Sequence, residues 1–164
     1  MKIFVGAPFS NYLNGGSFDP ALEKAIRSII NLLREKAFSV RSAHLREEFG
    51  RFLATPDVCT AFDWREVKEC NIFLAIPGNP PSGGVHIELG WASSLKKKIV
   101  LCLEKGANYS PLVWGLVHLS DAKIVYFSDY QDLLLQLQTM FENGKENVVC
   151  EVSKRRFQDG RLSA

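Results

Sequence analysis

The sequence alternates between short apolar runs and longer segments whose apolar residues recur at helical spacing. This alternation predicts a parallel β-sheet, because a helix between two strands returns the chain to the same edge of the sheet. We expect five strands, at Lys2 to Gly6, Ser39 to Ala43, Asn71 to Ile76, Ile99 to Leu103 and Lys123 to Phe127. The helices predicted most clearly are Pro20 to Lys36 and Asp129 to Asn143, which predicts a three-layer α/β sandwich.

Length and charge limit the classes of function. At 164 residues with 46% hydrophobic content, the chain is large enough for one core. We predict one domain over residues 1–143 and a flexible polar tail over residues 144–164. A net charge of +2 gives no general field for binding nucleic acid or a membrane surface. Because no run reaches a membrane span and Met1 to Gly6 is too short for a signal peptide, we expect a cytoplasmic protein.

The cysteines and histidines do not form a pattern of metal ligands. The four cysteines are scattered, and we interpret them as free thiols rather than as disulfide partners. The three histidines form no zinc-binding pair with one another or with a cysteine. We therefore expect no metal and no cofactor.

Ligands of open parallel sheets bind beyond the carboxyl ends of the strands, so the loops that follow the strands are informative. The loop after the third strand ends in Pro81 to Gly84, just before a predicted helix from Val85 to Leu95. Backbone amides and the Ser82 hydroxyl at such a helix start suit a phosphate group. An ordinary N-cap serine followed by turn glycines explains the same residues.

Glu88 is a carboxylate on an apolar stripe of this helix, since Val85, Leu89 and Ala92 are its helical neighbours. A buried carboxylate without a partner is costly and is a feature of functional sites. The alternative is an acid in the first turn that complements the helix dipole. Gly90, inside the same helix, indicates that another backbone or a ligand comes close.

Two further segments bear on the site. Asp63 precedes Trp64 and Arg65 in a pattern that resembles an N-cap with Glu66 at its third position, although a purely structural cap fits equally well. An N-terminus there would lie on the same face as the loops that follow the strands, which would place Asp63 near the site. The polar segment from Ser10 to Asp19 is expected to form a loop in the position of a lid.

Asp63, the third apolar run and the segment from Ser82 to Ala92 together resemble the nucleoside 2-deoxyribosyltransferase superfamily, in which Glu-Leu-Gly is a hallmark. The nearer resemblance, over Lys2 to Leu119, is to the CMP N-glycosidases of nucleoside-antibiotic pathways, of the mildiomycin and blasticidin type. Together with right-handed crossovers, it favours the flavodoxin-like strand order 2-1-3-4-5.

The resemblance also implies roles for individual residues. Glu88 matches the family nucleophile, and Asp63 matches the acid that assists departure of the base. Substrate-binding residues are implied at Gly6, Phe9, His44, Arg46, Ser82, Gly84 and Ser110. In this scheme Phe9 stacks on the base, Ser82 binds the 5′-phosphate, and Ser110 of one subunit completes the phosphate site of the other in a homodimer.

The expected reaction is hydrolysis of a pyrimidine nucleoside 5′-monophosphate by double displacement. Ser10 stands where the mildiomycin enzyme has an arginine, so CMP itself is favoured over a 5-hydroxymethylated cytosine nucleotide. Two alternatives remain open: a transferase that passes deoxyribose to a second base, and a nucleotide sensor without catalysis. A flavin-binding flavodoxin is disfavoured, because the loop after the first strand lacks a phosphate cradle rich in serine and threonine.

Overall fold

A computed structural model describes residues 1–14 and 17–142. Its main sheet has five parallel strands, and their order across the sheet is the predicted 2-1-3-4-5 when the five strands are counted along the chain. The strands are β1 (Lys2–Gly6), β4 (Ser39–Arg41), β5 (Ile72–Ala75), β6 (Lys98–Glu104) and β7 (Ala122–Phe127). The predicted fold class and strand order are therefore confirmed.

Helices cover both faces of the sheet. They are α1 (Pro20–Glu35), α2 (Ala43–Arg46), α3 (Pro56–Glu69), α4 (Gly83–Ser94), α5 (Pro111–Gly115) and α6 (Tyr130–Glu142). Buried residues of α1 and α6 form one core cluster with the sheet, and those of α3, α4 and α5 form the other. The central strands β1 and β5 contribute to both clusters, because their side chains alternate between the two faces.

The second strand in sequence ends earlier than predicted. The expected strand ran to Ala43, but β4 stops at Arg41 because Ser42 caps the short helix α2. The Ser42 hydroxyl accepts a hydrogen bond from the His44 amide at 3.3 Å. This cap turns the chain across the carboxyl end of the sheet, so that Arg46 lies at that end.

Asp63 is not an N-cap. Helix α3 begins two turns earlier, at Pro56, with Thr55 in the capping position. Proline suits the first position of a helix, where its missing amide hydrogen is not needed. Asp63 therefore lies in the middle of α3, one turn before Glu66 on the same side of the helix.

The segment after β1 is folded rather than an open polar loop. Residues Ser10–Tyr12 form a 3₁₀ turn, and the short strands β2 (Leu13–Asn14) and β3 (Ser17–Phe18) pair antiparallel. The Phe18 ring is buried in the core cluster of α1 and α6. The segment is thus anchored at its carboxyl end by an apolar side chain that the surrounding polar residues obscure in the sequence.

Some predictions fall outside the described residues, namely the tail over 144–164 and the last residue of the predicted final helix, Asn143. Within the described part, Cys59, Cys70 and Cys102 are free thiols, and the last two are buried. No helix in residues 1–14 and 17–142 is both long enough and apolar enough to cross a membrane.

Candidate active site

The Glu88 side chain is only 7% exposed, and it lies against the end of β1. A methyl group added at Gly6 would come within 2.5 Å of Glu88 Oε2 and within 2.7 Å of the Phe73 ring. Oε2 is buried and has no hydrogen-bond partner among the described residues. Glycine is needed at position 6 because the carboxylate occupies the space of a side chain.

Burial raises the pKa of Glu88 well above its ordinary value. The negative charge of Asp63 raises it further, Arg46 opposes the rise, and Glu66 adds to it. A carboxyl group with these surroundings changes its charge at a much higher pH than an exposed glutamate does. Such a perturbed carboxyl group is typical of a functional site.

Arg46 is bound by three carboxylates. Its Nη2 atom lies 2.9 Å from Asp63 Oδ1 and 3.2 Å from Glu47 Oε1, and its Nη1 atom donates to Glu66 Oε2 at 3.1 Å. All four side chains are less than one-fifth exposed. Arg46 therefore joins the segment after β4 to α3, and its terminal nitrogens are directed to carboxylates.

The carboxyl groups of α3 are perturbed as well. Burial raises the pKa of both Asp63 and Glu66, while the charge of Arg46 opposes the rise for each of them. For Arg46, burial lowers the pKa, but the carboxylates around it outweigh this effect and the pKa is raised. One guanidinium thus pairs with several buried carboxyl groups, so these groups titrate as a coupled cluster.

Glu66 and Glu47 were not predicted as site residues. The available signal for Glu66 was its spacing from Asp63, because residues three apart lie on the same side of a helix. Interpreting Asp63 as an N-cap concealed that signal. Glu47 could not be assigned from sequence, because its contact depends on the turn made by α2.

His44 is buried, at 1% exposure, under the loop that follows β1. Its Nε2 atom lies 3.0 Å from the Pro8 carbonyl, and its Nδ1 atom lies 3.2 Å from the Ser42 hydroxyl. A carbonyl can only accept, so Nε2 carries the hydrogen and Nδ1 accepts from Ser42. Burial lowers the pKa of His44 to about 4, so the ring is neutral. Both ring nitrogens have partners within the protein, and binding of a substrate by His44 stays a prediction.

Phe9 is partly buried and packs on His44 and Phe18, with ring centroids 5.0 Å and 5.5 Å away. These contacts hold one part of the Phe9 ring against the protein. His44 therefore supports both the backbone at Pro8 and the ring at Phe9. These contacts fix the orientation of the Phe9 ring.

The start of α4 is accessible. Ser82 occupies the N-cap position, but its hydroxyl makes no capping hydrogen bond. Gly83 and Gly84 are exposed, and a methyl group at Gly84 would lie 3.7 Å from the Ser82 hydroxyl oxygen. His86 donates from its backbone amide and from Nδ1 to the Ser82 carbonyl. The Ser82 hydroxyl and the first amides of α4 are therefore available to an anion.

Ser110 lies at the start of α5, on an exposed part of the surface. Its hydroxyl oxygen accepts from the Leu112 amide at 3.3 Å, which leaves the hydroxyl hydrogen available to donate. Within one chain, none of the hydrogen bonds of the described residues links Ser110 to Ser82 or Glu88.

A separate cavity of about 290 Å³ lies between α3 and the strands β1 and β4. Arg41, Phe62 and Glu66 line it, whereas Glu88, Asp63 and Gly6 do not. We place the chemistry at the carboxyl end of β1, because the unpartnered carboxylate lies there and the fold predicts ligands at that edge. In the part of the chain that the structure describes, no group of three or more potential ligands could hold a metal ion.

No model of a known protein family matches the chain, and no curated protein matches it. Among solved structures, the Clostridium botulinum CMP N-glycosidase BcmB is 32% identical, with a TM-score of 0.69, over 85% of this chain and 98% of BcmB. The solution structure of BlsM is 31% identical, also with a TM-score of 0.69, over 88% of this chain and 95% of BlsM.

A 2-deoxyribosyltransferase from Bacillus psychrosaccharolyticus shares the fold at 21% identity, with a TM-score of 0.55, over 82% of this chain and 90% of that protein. The likeness to BcmB and BlsM extends over most of each chain. The chain therefore belongs to the nucleoside 2-deoxyribosyltransferase superfamily, together with these two structures, and is a nucleotide N-glycosidase or a related deoxyribosyltransferase.

Proposed function

We propose that the chain hydrolyses the N-glycosidic bond of a pyrimidine nucleoside 5′-monophosphate, with CMP as the preferred substrate. The observation that carries this proposal is the buried Glu88 carboxylate beside Gly6, whose Oε2 atom has no hydrogen-bond partner among the described residues. The likeness to BcmB, which is a CMP N-glycosidase, supports the choice of substrate.

The reaction proceeds in two displacements. A Glu88 oxygen bonds to the anomeric carbon while the bond to the base nitrogen breaks, and the Asp63 carboxyl group supplies the proton that the base takes. Water then attacks the anomeric carbon, frees Glu88 and returns a proton to Asp63. The products are free base and ribose 5-phosphate, so one water molecule is consumed in each cycle.

Phosphate binding contributes to the rate in this scheme. Ser82 and the first amides of α4 bind the 5′-phosphate, six residues before the nucleophile on the same helix. Binding energy from the phosphate then holds the sugar against Glu88. Phe9, supported by His44, stacks on the base. We assign Gly6 and Gly84 to close approach of the ligand, and Arg46 to the orientation of Asp63.

A homodimer is proposed because apolar side chains are exposed on the helices of one face of the sheet. Those at least 38% exposed on α3, α4 and α5 are Val58, Phe62, Trp64, Ile87, Leu112 and Trp114. The three helices cover the same face of the sheet, and α5 begins directly after Ser110. Exposed apolar surface of this kind marks a site of interaction. A second copy packed there would bring its Ser110 toward the phosphate site.

Turnover of CMP tests the proposal directly. We expect the chain to release cytosine from CMP, and Glu88→Gln to reduce this release at least about a thousandfold. Mass spectrometry of quenched enzyme should show a ribose 5-phosphate adduct on the peptide that contains Glu88. Cytosine release by Glu88→Gln at close to the normal rate would eliminate the assigned nucleophile.

The same assay separates the alternatives. If a second base is added and a new nucleotide or nucleoside forms in place of free sugar phosphate, the chain is a transferase. If CMP raises the melting temperature but no pyrimidine nucleotide releases its base over long incubation, the chain is a sensor.

A further inference from the structure

The buried network around Arg46 contains one carboxylate, Glu66, that no step of the proposed reaction uses. Its Oε2 atom accepts from Arg46 Nη1 at 3.1 Å, and the other terminal nitrogen of Arg46 lies 2.9 Å from Asp63 Oδ1. Both acids lie in α3, one turn apart. Glu66 and Asp63 therefore hold the two arms of the same planar guanidinium.

A guanidinium that is hydrogen-bonded through one terminal nitrogen can still rotate, whereas hydrogen bonds to both terminal nitrogens fix its orientation. The planar fork of Arg46 makes three contacts, so several partners order this side chain together. Glu47, at 3.2 Å from Nη2, is the third contact. If the Glu66 contact were lost, the contact to Asp63 would lose its fixed direction.

We propose that Glu66 is a positioning residue of the glycosidic reaction, which fixes Arg46 so that the arginine holds the Asp63 carboxyl group in its working orientation. This inference rests on the proposed function, because it gives Asp63 a task in the departure of the base. Glu66 itself contacts Arg46 and not the reacting atoms, so its effect is indirect.

The charge of Glu66 has a second effect, on Glu88. The charged groups that act on Glu88 are Arg46, at the end of α2, and Asp63 and Glu66, in α3. From the strands, β1 and β5 present Gly6 and Phe73, which do not titrate. Removing the negative charge of Glu66 should therefore lower the pKa of Glu88.

Two more charges act on Glu66 from outside the network. Arg41, at the end of β4, lowers the pKa of Glu66, and Glu69, one turn further along α3, raises it. Glu69 is exposed and pairs with Lys2 at 3.2 Å. Because Glu69 shares the helix and the charge of Glu66 but does not contact Arg46, it is the matched control.

The test compares Glu66→Gln with Glu69→Gln over a range of pH, with CMP as substrate. Because ionised Glu88 is the active form, Glu66→Gln should move the acidic limb of kcat/KM to lower pH. It should also lower kcat about tenfold, because Asp63 is no longer held in place. Glu69→Gln should leave both the limb and kcat unchanged.

A purely structural role of Glu66 would lower the melting temperature of Glu66→Gln without moving the pH limb, and that result would overturn the inference. Arg46→Lys serves as a second variant, since lysine keeps the charge but lacks the fork. It should lower kcat at least as much as Glu66→Gln does, and a normal kcat would count against the inference. If the unmodified chain releases no base, the proposed function is contradicted. If the unmodified chain is active but Glu66→Gln behaves like Glu69→Gln, only the role of Glu66 is contradicted.

Discussion

At the scale of single residues, the site depends on a close approach between Gly6 and Glu88. The Glu88 carboxylate fills the volume that a side chain at position 6 would need, and the Phe73 ring closes the same volume from β5. Protein interiors are packed too closely for a methyl group to be added there without displacement of a neighbour. Gly6 is thus fixed by the position of the carboxylate rather than by its backbone conformation.

Gly6→Ala should therefore reduce both stability and turnover. We expect a loss of about 1 to 3 kcal/mol in the free energy of unfolding, because the added methyl group overpacks the core. Cytosine release should fall as well, since Glu88 must move. Chemical denaturation and the chromatographic assay measure the two effects. Gly115→Ala is the control, because a methyl group at Gly115 meets no atom within 4 Å. Equal behaviour of the two variants would contradict the proposed close packing.

At the scale of elements, helix α4 has a buried inner side and an outer side that exposes an apolar residue. Its inner side contributes Val85, Leu89 and Ala92 to the core, together with the buried Glu88. Its outer side exposes Ile87, at 56%, and Gly90, which no atom within 4 Å would obstruct. Among the described residues, no other backbone comes close to Gly90, so the expected close approach of a ligand or of a second copy stays a prediction. A helix that is apolar on both sides is typical of a buried element, so its outer side needs a cover.

Ile87→Asp should disrupt the proposed dimer. Loss of about 1.5 kcal/mol of apolar burial on each of two symmetric copies corresponds to a dissociation constant weakened about a hundredfold. Sedimentation equilibrium measures this change, and cytosine release should fall with it, because Ser110 of the second copy is lost. Leu135→Asp is the control, since Leu135 is 65% exposed on α6, on the other face of the sheet. A monomeric unmodified chain would contradict the proposed assembly.

At the scale of the whole molecule, buried titratable groups make stability depend on pH in opposite directions. The raised pKa values of Glu88, Asp63 and Glu66 give stability that is present at low pH and is lost as the pH rises through those values. The lowered pKa of His44, about 4 against 6.5, gives stability that is present above pH 6.5 and is lost as the pH falls toward 4.

His44→Gln should flatten the acidic side of this profile. Between pH 7 and pH 4, the difference in unfolding free energy between the two proteins should change by about 3 kcal/mol, which is the cost of protonating the buried ring. The carboxyl groups contribute equally to both proteins and cancel from the difference. Urea denaturation at several pH values measures the change. A constant difference across this range would mean that His44 is already protonated, or exposed, in the folded protein.

The apolar runs and the helical spacing determined the sheet, the strand count and the position of the loop before α4, because these depend on local patterns of burial. The resemblance indicated Glu88 and Asp63, whose types and neighbours are local features of the chain. Glu66 and the true start of α3 were missed. A proline at a first helical position signals that start only weakly, and the contact of Glu66 lies across the fold.

Only the tertiary structure decided which charged groups form ion pairs and which titratable groups are neutral. Arg46 reaches α3 only because Ser42 caps α2 and turns the chain over the end of the sheet. His44 is neutral because burial lowers its pKa, although the hydrogen bond to the Pro8 carbonyl opposes this change. A sequence specifies how buried a segment is on average, but a pKa or an ion pair depends on atoms a few ångströms away that belong to distant parts of the chain.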